Sequence, residues 1–252
     1  MKEKETSQIT EDLDCRINTN TKFGSVDLVK WFMDNIKFKK GEKVLDIGCG
    51  TGKILIEIAK KTKTNHSCIG LDLSSSSLET AKNNSLNKGL LINFINMNMD
   101  DLILQKDKYD TIISVYSIYY SNNIDSLLKQ LKEMLNENGR LIIMCPYGDN
   151  NLEWFNFVSK FMTIPDNMMY ANLIIMGRIL PFALSNFKRI VCLPFENKVI
   201  MPNKEIFTDY WKSNIYYKDE YNPQFETFAN NHFKNNSSFC NVKKAMLVIM
   251  EK

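Results

Sequence analysis

The chain has 252 residues, 44% of them hydrophobic, enough for one buried core with a small appended piece. Thirty-two basic and 29 acidic side chains leave a net charge of +3, too weak for the electrostatic footprint of a nucleic-acid binder. The six cysteines are scattered, with no CxxC pair and no histidine at metal-ligand spacing, so separate reduced thiols and no metal site are expected. The amino terminus, MKEKETSQIT, lacks the apolar core of a secretory signal, which makes the cytoplasm the expected location. The most apolar segment, MMYANLIIMGRILPFAL, is interrupted by Arg178 and Pro181, and no membrane span is expected. The Asn, Lys and Ile bias suits a low-GC, bacterial genome.

In chain order, TKFGSVDLVKWF precedes the first strand. KVLDIG is a short β-branched run, and TGKILIEIAKK repeats Ile54, Leu55, Ile58 and Ala59 at helical spacing. SCIGLDLS gives a second strand, after which Ser74, or Ser76 with Glu79, can cap a helix. LINFINMN and YDTIISVYS are the third and fourth strands. The next helix, NIDSLLKQLKEMLNENG, is expected to stop at Asn138-Gly139, before a fifth strand, RLIIMCP. Two aromatic-rich segments, Trp154 to Met162 and Met168 to Leu184, suggest a helical insertion. FKRIVCLPF and NVKKAMLVIM are further strands with NKEIFTDYWKSN as a helix between them, and FANNHFKNNSS is expected to be an exposed loop. Strands that are almost wholly apolar and alternate with helices specify a doubly wound, mostly parallel seven-stranded α/β sheet, Rossmann-like, with ligands at the carboxyl ends of the strands. The expected division is a helical lid over 1–40, a core over 41–146 and 186–252, and a helical cap over 147–185.

DIGCGTG places Gly48, Gly50 and Gly52 between the first strand and its helix, where bare main chain and unpaired N–H groups favour an anionic or carboxylate group. The GxGxG spacing, with Asp46 two positions before the first glycine, differs from the GxGxxG of dinucleotide folds. It resembles the first motif of class I S-adenosylmethionine-dependent methyltransferases. The likeness continues through residues 40–146. Asp72, 26 residues after Asp46, matches the carboxylate that binds both ribose hydroxyls in that family. NMNMDDL matches the segment that reads adenine, with Asn98 toward the amino group and the Met99 N–H toward a ring nitrogen; Asn stands where Asp is commoner. The resemblance further implies cofactor contacts from Leu73, Ser114 and Tyr116, and a lid contact from Phe23.

The cofactor implied is S-adenosyl-L-methionine, whose methyl group is already electrophilic, so catalysis consists mainly of holding a nucleophile in line. Tyr119 matches a position that often carries His near that methyl, where a phenol orients an acceptor or takes its proton; otherwise these tyrosines line the pocket. Tyr120, Tyr147, Trp154 and Arg178 are the candidates for acceptor recognition, Arg178 because a guanidinium in an apolar helix needs a partner. Of the two histidines, His66 sits in a loop away from the ligand edge and His232 in the polar stretch near the end. Cys49 reads as a small filler. The expected function is methyl transfer to a small-molecule acceptor, at oxygen; the alternatives are an RNA or protein methyltransferase and a non-catalytic nucleotide-binding partner subunit. The sequence leaves the oligomeric state open.

Overall fold

The computed structural model describes residues 6–63, 67–102 and 107–252. His66 lies outside the described residues. Two helices, α1 (Thr6–Lys22) and α2 (Leu28–Asn35), precede the alternating core of β1 (Val44–Ile47), α3 (Lys53–Thr62), β2 (Cys68–Asp72), α4 (Ser75–Leu86), β3 (Asn93–Asn96), β4 (Tyr109–Val115), α5 (Ile124–Glu133) and β5 (Leu135–Pro146). Then come α6 (Leu152–Val158), α7 (Asp166–Ile174), a π-helical turn (Ile175–Ile179), α8 (Leu180–Asn186), β6 (Arg189–Met201), α9 (Lys204–Lys212), α10 (Asn222–Asn235) and β7 (Phe239–Glu251). The strands form one seven-stranded sheet in the order β3-β2-β1-β4-β5-β7-β6. The first five pair in parallel, and β7 runs antiparallel to both neighbours. The expected doubly wound sheet is therefore present, with Pro194 tolerated because β6 is an edge strand.

Alternation along the strands sorts the core into two faces. Leu45, Ile47, Ile112, Ile143 and Val248 meet α5 and the α7–α8 rod on one side. Val44, Ile113, Ile142, Met144 and Leu247 meet α2 and α3 on the other. A third cluster joins α6, α9 and α10 to the outer ends of β6 and β7, through Trp154, Phe157, Phe207, Trp211, Phe225 and Phe239. The segment read as one cap, 147–185, is thus divided by its packing: α6 enters the aromatic lobe with 201–239, while Ile174, Ile175, Ile179 and Ala183 lie against the sheet.

Two boundaries differ from the sequence reading. Helix α5 stops at Glu133, not at Asn138-Gly139, because Tyr109 N–H donates to Met134 O and Asn136 bonds the Asp110 carboxylate at 2.6 Å, drawing the chain into the sheet early. FANNHFKNNSS is mostly the end of α10, not a loop. Its polar residues face outward while Phe225 and Ala229 are buried, and its polarity marks the solvent side of an amphipathic helix.

A strap made by α1 and the turn to α2 crosses to the far edge of the sheet. Asn197 of β6 holds it, donating to Asn20 O at 3.1 Å and accepting from Val26 N–H at 3.1 Å. Gly24 forms a bridge with Val199, and a side chain there would collide with Asn20 O and Asn197. Among the described residues no helix is long and apolar enough to cross a membrane.

Candidate active site

The loop after β1 is built by its glycines in two different ways. Gly48, Gly50 and Gly52 all have positive φ, at 72°, 52° and 75°. A methyl at Gly48 would strike the Ser117 side chain, and one at Gly52 would lie 3.0 Å from Ala81 Cβ and 3.3 Å from Phe94. At Gly50 nothing comes within 4 Å. Two glycines therefore serve close packing, and the third opens on free space at the carboxyl edge of the sheet. Gly52 also caps α3 without a side-chain hydrogen bond, so the first N–H groups of that helix keep no side-chain partner.

Asp72 ends β2 beside this loop. Its Oδ2 accepts from Gly50 N–H at 2.8 Å and its Oδ1 from Ser74 N–H at 2.9 Å, which fixes the carboxylate plane and leaves one acceptor position on each oxygen. Ser74 caps α4 as expected, through Ser77 N–H. Next to it Leu73 is 70% exposed at the carboxyl edge of the sheet. Asn98 accepts from Asp100 N–H at 3.0 Å and so starts the short turn Met99–Asp101, with one lone pair of its amide oxygen unused. Asp100 is held in turn by Ser121 Oγ and Asn122 N–H, which ties the turn after β3 to the tip of β4.

Asp46 lies under the loop, 4% exposed, and no described residue gives its carboxyl a hydrogen bond. Burial first, and the neighbouring Asp72 second, push its pKa up to about 8. A buried acid left without a donor is a site prepared for a cation. Cys49 packs against the bare Cα of Gly70, and burial pushes its thiol well above the usual range, so it is a filler and not a nucleophile.

The tip of β4 supplies the tyrosines. Tyr116 has φ +56°, a left-handed conformation that is uncommon for an aromatic residue, and its N–H bonds Met144 O at 2.8 Å. Ser114 is fully buried beneath it. Its hydroxyl meets Ser117 Oγ at 2.6 Å, and Ser117 Oγ donates to Ile47 O at 2.5 Å. The Ser114 side chain is thus spent on the scaffold, and the SxxS clamp it forms with Ser117 is the feature sequence reading passed over. Tyr119 packs partly into the core with its ring centroid 4.6 Å from that of the exposed Tyr120. Burial, and then Tyr120, raise its pKa well above the ordinary phenol, so it stays protonated and can donate a hydrogen bond rather than take a proton.

Other candidates sit elsewhere. Trp154 is 1% exposed at the centre of the aromatic lobe and donates through Nε1 to Tyr216 OH, so it is packing and not an acceptor contact. The partner of Arg178 is Asp125, at 3.0 Å on the open surface, which meets the requirement that pointed to an acceptor. His232 packs on Phe233 and Phe239 and bonds Ser238 O at 2.9 Å. Tyr147 follows β5 at the ligand edge, half-buried. Phe23, in the strap, pairs its carbonyl with Ile200 N–H of the edge strand β6, four strands along from β1, so it is an anchor of the strap and not a contact of the cofactor loop.

The donor set fits S-adenosylmethionine: two free acceptor positions at Asp72 suit two ribose hydroxyls, the Gly50 cradle and the opening N–H groups of α3 suit a carboxylate, and Asp46 suits an ammonium. Comparison with known proteins agrees. A family profile described as a methyltransferase domain matches residues 38–218, and the chain belongs to that family. It is 30% identical over 116 residues to a carboxy-S-adenosyl-L-methionine synthase of Nautilia profundicola, covering 45% of this chain and 46% of that protein. It is 28% identical over 104 residues to a ubiquinone biosynthesis O-methyltransferase of Chelativorans sp., covering 41% and 40%. The chain spans about half the length of the curated relatives it matches. Among solved structures, YcgJ from Bacillus subtilis superposes with a TM-score of 0.61 at 15% identity, over 89% of this chain and 97% of that one. A SAM-dependent methyltransferase from Thiobacillus denitrificans, in complex with S-adenosyl-L-homocysteine, does so with 0.54 at 16%, over all of both chains. These two likenesses concern the fold.

Proposed function

We propose that this methyltransferase-family chain transfers the methyl group of S-adenosylmethionine to an oxygen of a small acceptor. The observation that carries the reading is the pairing of an open Gly50 cradle with an Asp72 carboxylate whose plane is locked by two main-chain N–H groups. Such an acid is preorganised for a vicinal diol, and Leu73, Asn98 and the Met99 N–H lie along the same edge for a flat base. When bound, the cofactor supplies an electrophilic methyl on a sulfonium, and the protein has to orient and dry the reacting pair. Tyr116 and Tyr119 stand at the tip of β4 to do so, with Tyr120 and Tyr147 at the margins. The α1–α2 strap serves as the lid, and the aromatic lobe walls the pocket from the other side.

Relatives named for ubiquinone biosynthesis support a small acceptor; one of these is named an O-methyltransferase and the other a C-methyltransferase, so the oxygen atom draws support from the former alone. The lack of a free phenolate or imidazole base among the described residues at the rim bears on the acceptor. Tyr119 keeps its proton, and His232 is engaged in the lobe. An oxygen that arrives already ionised needs no base. The same observation favours a second reading, a chain that binds the cofactor as a partner subunit without transferring. Purified protein incubated with S-adenosylmethionine and fractionated metabolite pools tests both: S-adenosylhomocysteine formed with a small-molecule fraction supports transfer, and binding without formation in any fraction supports the second reading.

A further inference from the structure

The roof of the acceptor side carries two cations that the site described above does not use. β7 places Lys243 and Lys244 in succession beyond the end of β5, since Ala245 is the residue that pairs with Pro146. Their side chains point to opposite faces. Lys244 meets the Asp149 carboxylate at 2.8 Å. Lys243 has no carboxylate among the described residues; its Nζ reaches Tyr210 OH at 2.5 Å and lies 5.2 Å from the centre of that ring. It shares its face with Ala245 and Leu247, the side of α2, α3 and Tyr116, and its pairing partner on β6 is Asn197, which holds the strap. Lys243 therefore sits under the lid, in line along the sheet edge with the tip of β4.

The second cation comes from the lid itself. Arg16 of α1 donates one N–H to Ser213 O and makes no ion pair with any described residue. Ser213 and Tyr210 belong to one turn of α9, joined by Ser213 Oγ to Tyr210 O at 2.9 Å. Arg16 and Lys243 thus both bond the last turn of α9, through Ser213 O and Tyr210 OH, and both are half-buried. The phenol of Tyr216 lies close enough to feel the Arg16 charge. The nearest acid on α6, Glu153, accepts from Val242 N–H, on the Lys244 side of β7. Two partly desolvated cations without a counter-charge attract an anion strongly.

We propose that Arg16 and Lys243 form an anion subsite in the acceptor pocket, so that the methyl acceptor carries a carboxylate or a phosphate. This rests on the methyl-transfer reading. Two strand spacings separate β4 from β7, so the acidic group lies ~10 Å from the reacting end of the acceptor.

The test titrates inorganic phosphate, 4-hydroxybenzoate and neutral 4-hydroxybenzamide into the full chain saturated with S-adenosylhomocysteine. At least one of the two anions is expected to bind, and the benzamide at least tenfold more weakly than 4-hydroxybenzoate if the carboxylate is the recognised group. Phosphate binding alone assigns a phosphate-bearing acceptor. Lys243→Met and Arg16→Gln should each weaken the anion tenfold or more, Lys243→Arg should retain it, and Lys244→Met should change nothing. No binding of either anion, or undiminished binding in Lys243→Met and Arg16→Gln, overturns the subsite. If S-adenosylhomocysteine itself gives no heat, the methyl-transfer reading falls, and the same anion titrations into the bare chain then decide the subsite alone.

Discussion

Asp46 offers a quantitative test, because one side chain links stability, pH and the cofactor site. Its carboxyl is buried without a hydrogen-bond donor, and its pKa rises from 3.8 to about 8. The folded protein therefore holds a proton that the unfolded chain releases between these values. Stability from this group is fully present below about pH 4 and is lost as pH rises to about 8. A difference of about 4 pH units at ~1.4 kcal/mol each sets a ceiling of ~6 kcal/mol, and the relaxed, partly hydrated interior brings the effect to ~2–3 kcal/mol. Asp46→Asn removes the ionisation while keeping the shape. In urea unfolding of the cofactor-free protein, the substituted and native chains should be most nearly equal in stability at about pH 4, below which the effect does not change. By pH 9 the substituted chain should lead by ~2–3 kcal/mol. A stability difference that stays constant from pH 5 to 9 would refute the assignment of a proton to Asp46. The same geometry implies that a bound ammonium ionises Asp46, so S-adenosylhomocysteine binding near pH 7 should release a proton, seen as a binding heat that changes with the ionisation enthalpy of the buffer.

Gly50→Ala and Gly52→Ala should separate binding from stability. The first adds a methyl to open space, so its stability cost is only the left-handed backbone, about 1 kcal/mol, and it should weaken S-adenosylhomocysteine more than tenfold; the second adds crowding of Ala81 and Phe94 to the same backbone cost and should lower Tm further. Trp154→Ala should cost about 3–5 kcal/mol by emptying the centre of the aromatic lobe, and Trp154→Phe about 1 kcal/mol for the lost bond to Tyr216; chemical denaturation reads both. Tyr119→Phe should lower kcat without moving the pH–rate profile between pH 6 and 9, since its phenol stays protonated throughout that range. A profile that loses a limb in that variant would make Tyr119 a base.

What could be read from the chain follows from how local the determinants are. The stretch 44–61 carries its own period and its own turn glycines, and Asp72 closes a contact only 22 residues away with Gly50, so sheet, loop and carboxylate were all legible. The end of α5 was not, because Asn138-Gly139 is a good local stop but the Asn136–Asp110 bond and the pairing of Leu135 with Tyr109 act across the fold. His232 and its polar neighbours looked like a loop because the apolar half of α10 is only four positions wide at Phe225 and Ala229. Arg178 was expected at the acceptor for want of a partner that only the folded chain supplies, Asp125, and Trp154 as one aromatic of an insertion whose packing into the lobe is set across the fold. Lys243 carries no sequence signal at all: it differs from Lys244 only in which face of β7 it occupies.

The most direct measurement is calorimetric titration of the purified chain with S-adenosylhomocysteine, beside NAD and beside an Asp72→Ala variant. One site per chain, no heat from NAD, and at least a tenfold loss on removing the carboxylate are the expected results. Absence of heat from S-adenosylhomocysteine, or equal affinity with and without the Asp72 side chain, would contradict the account.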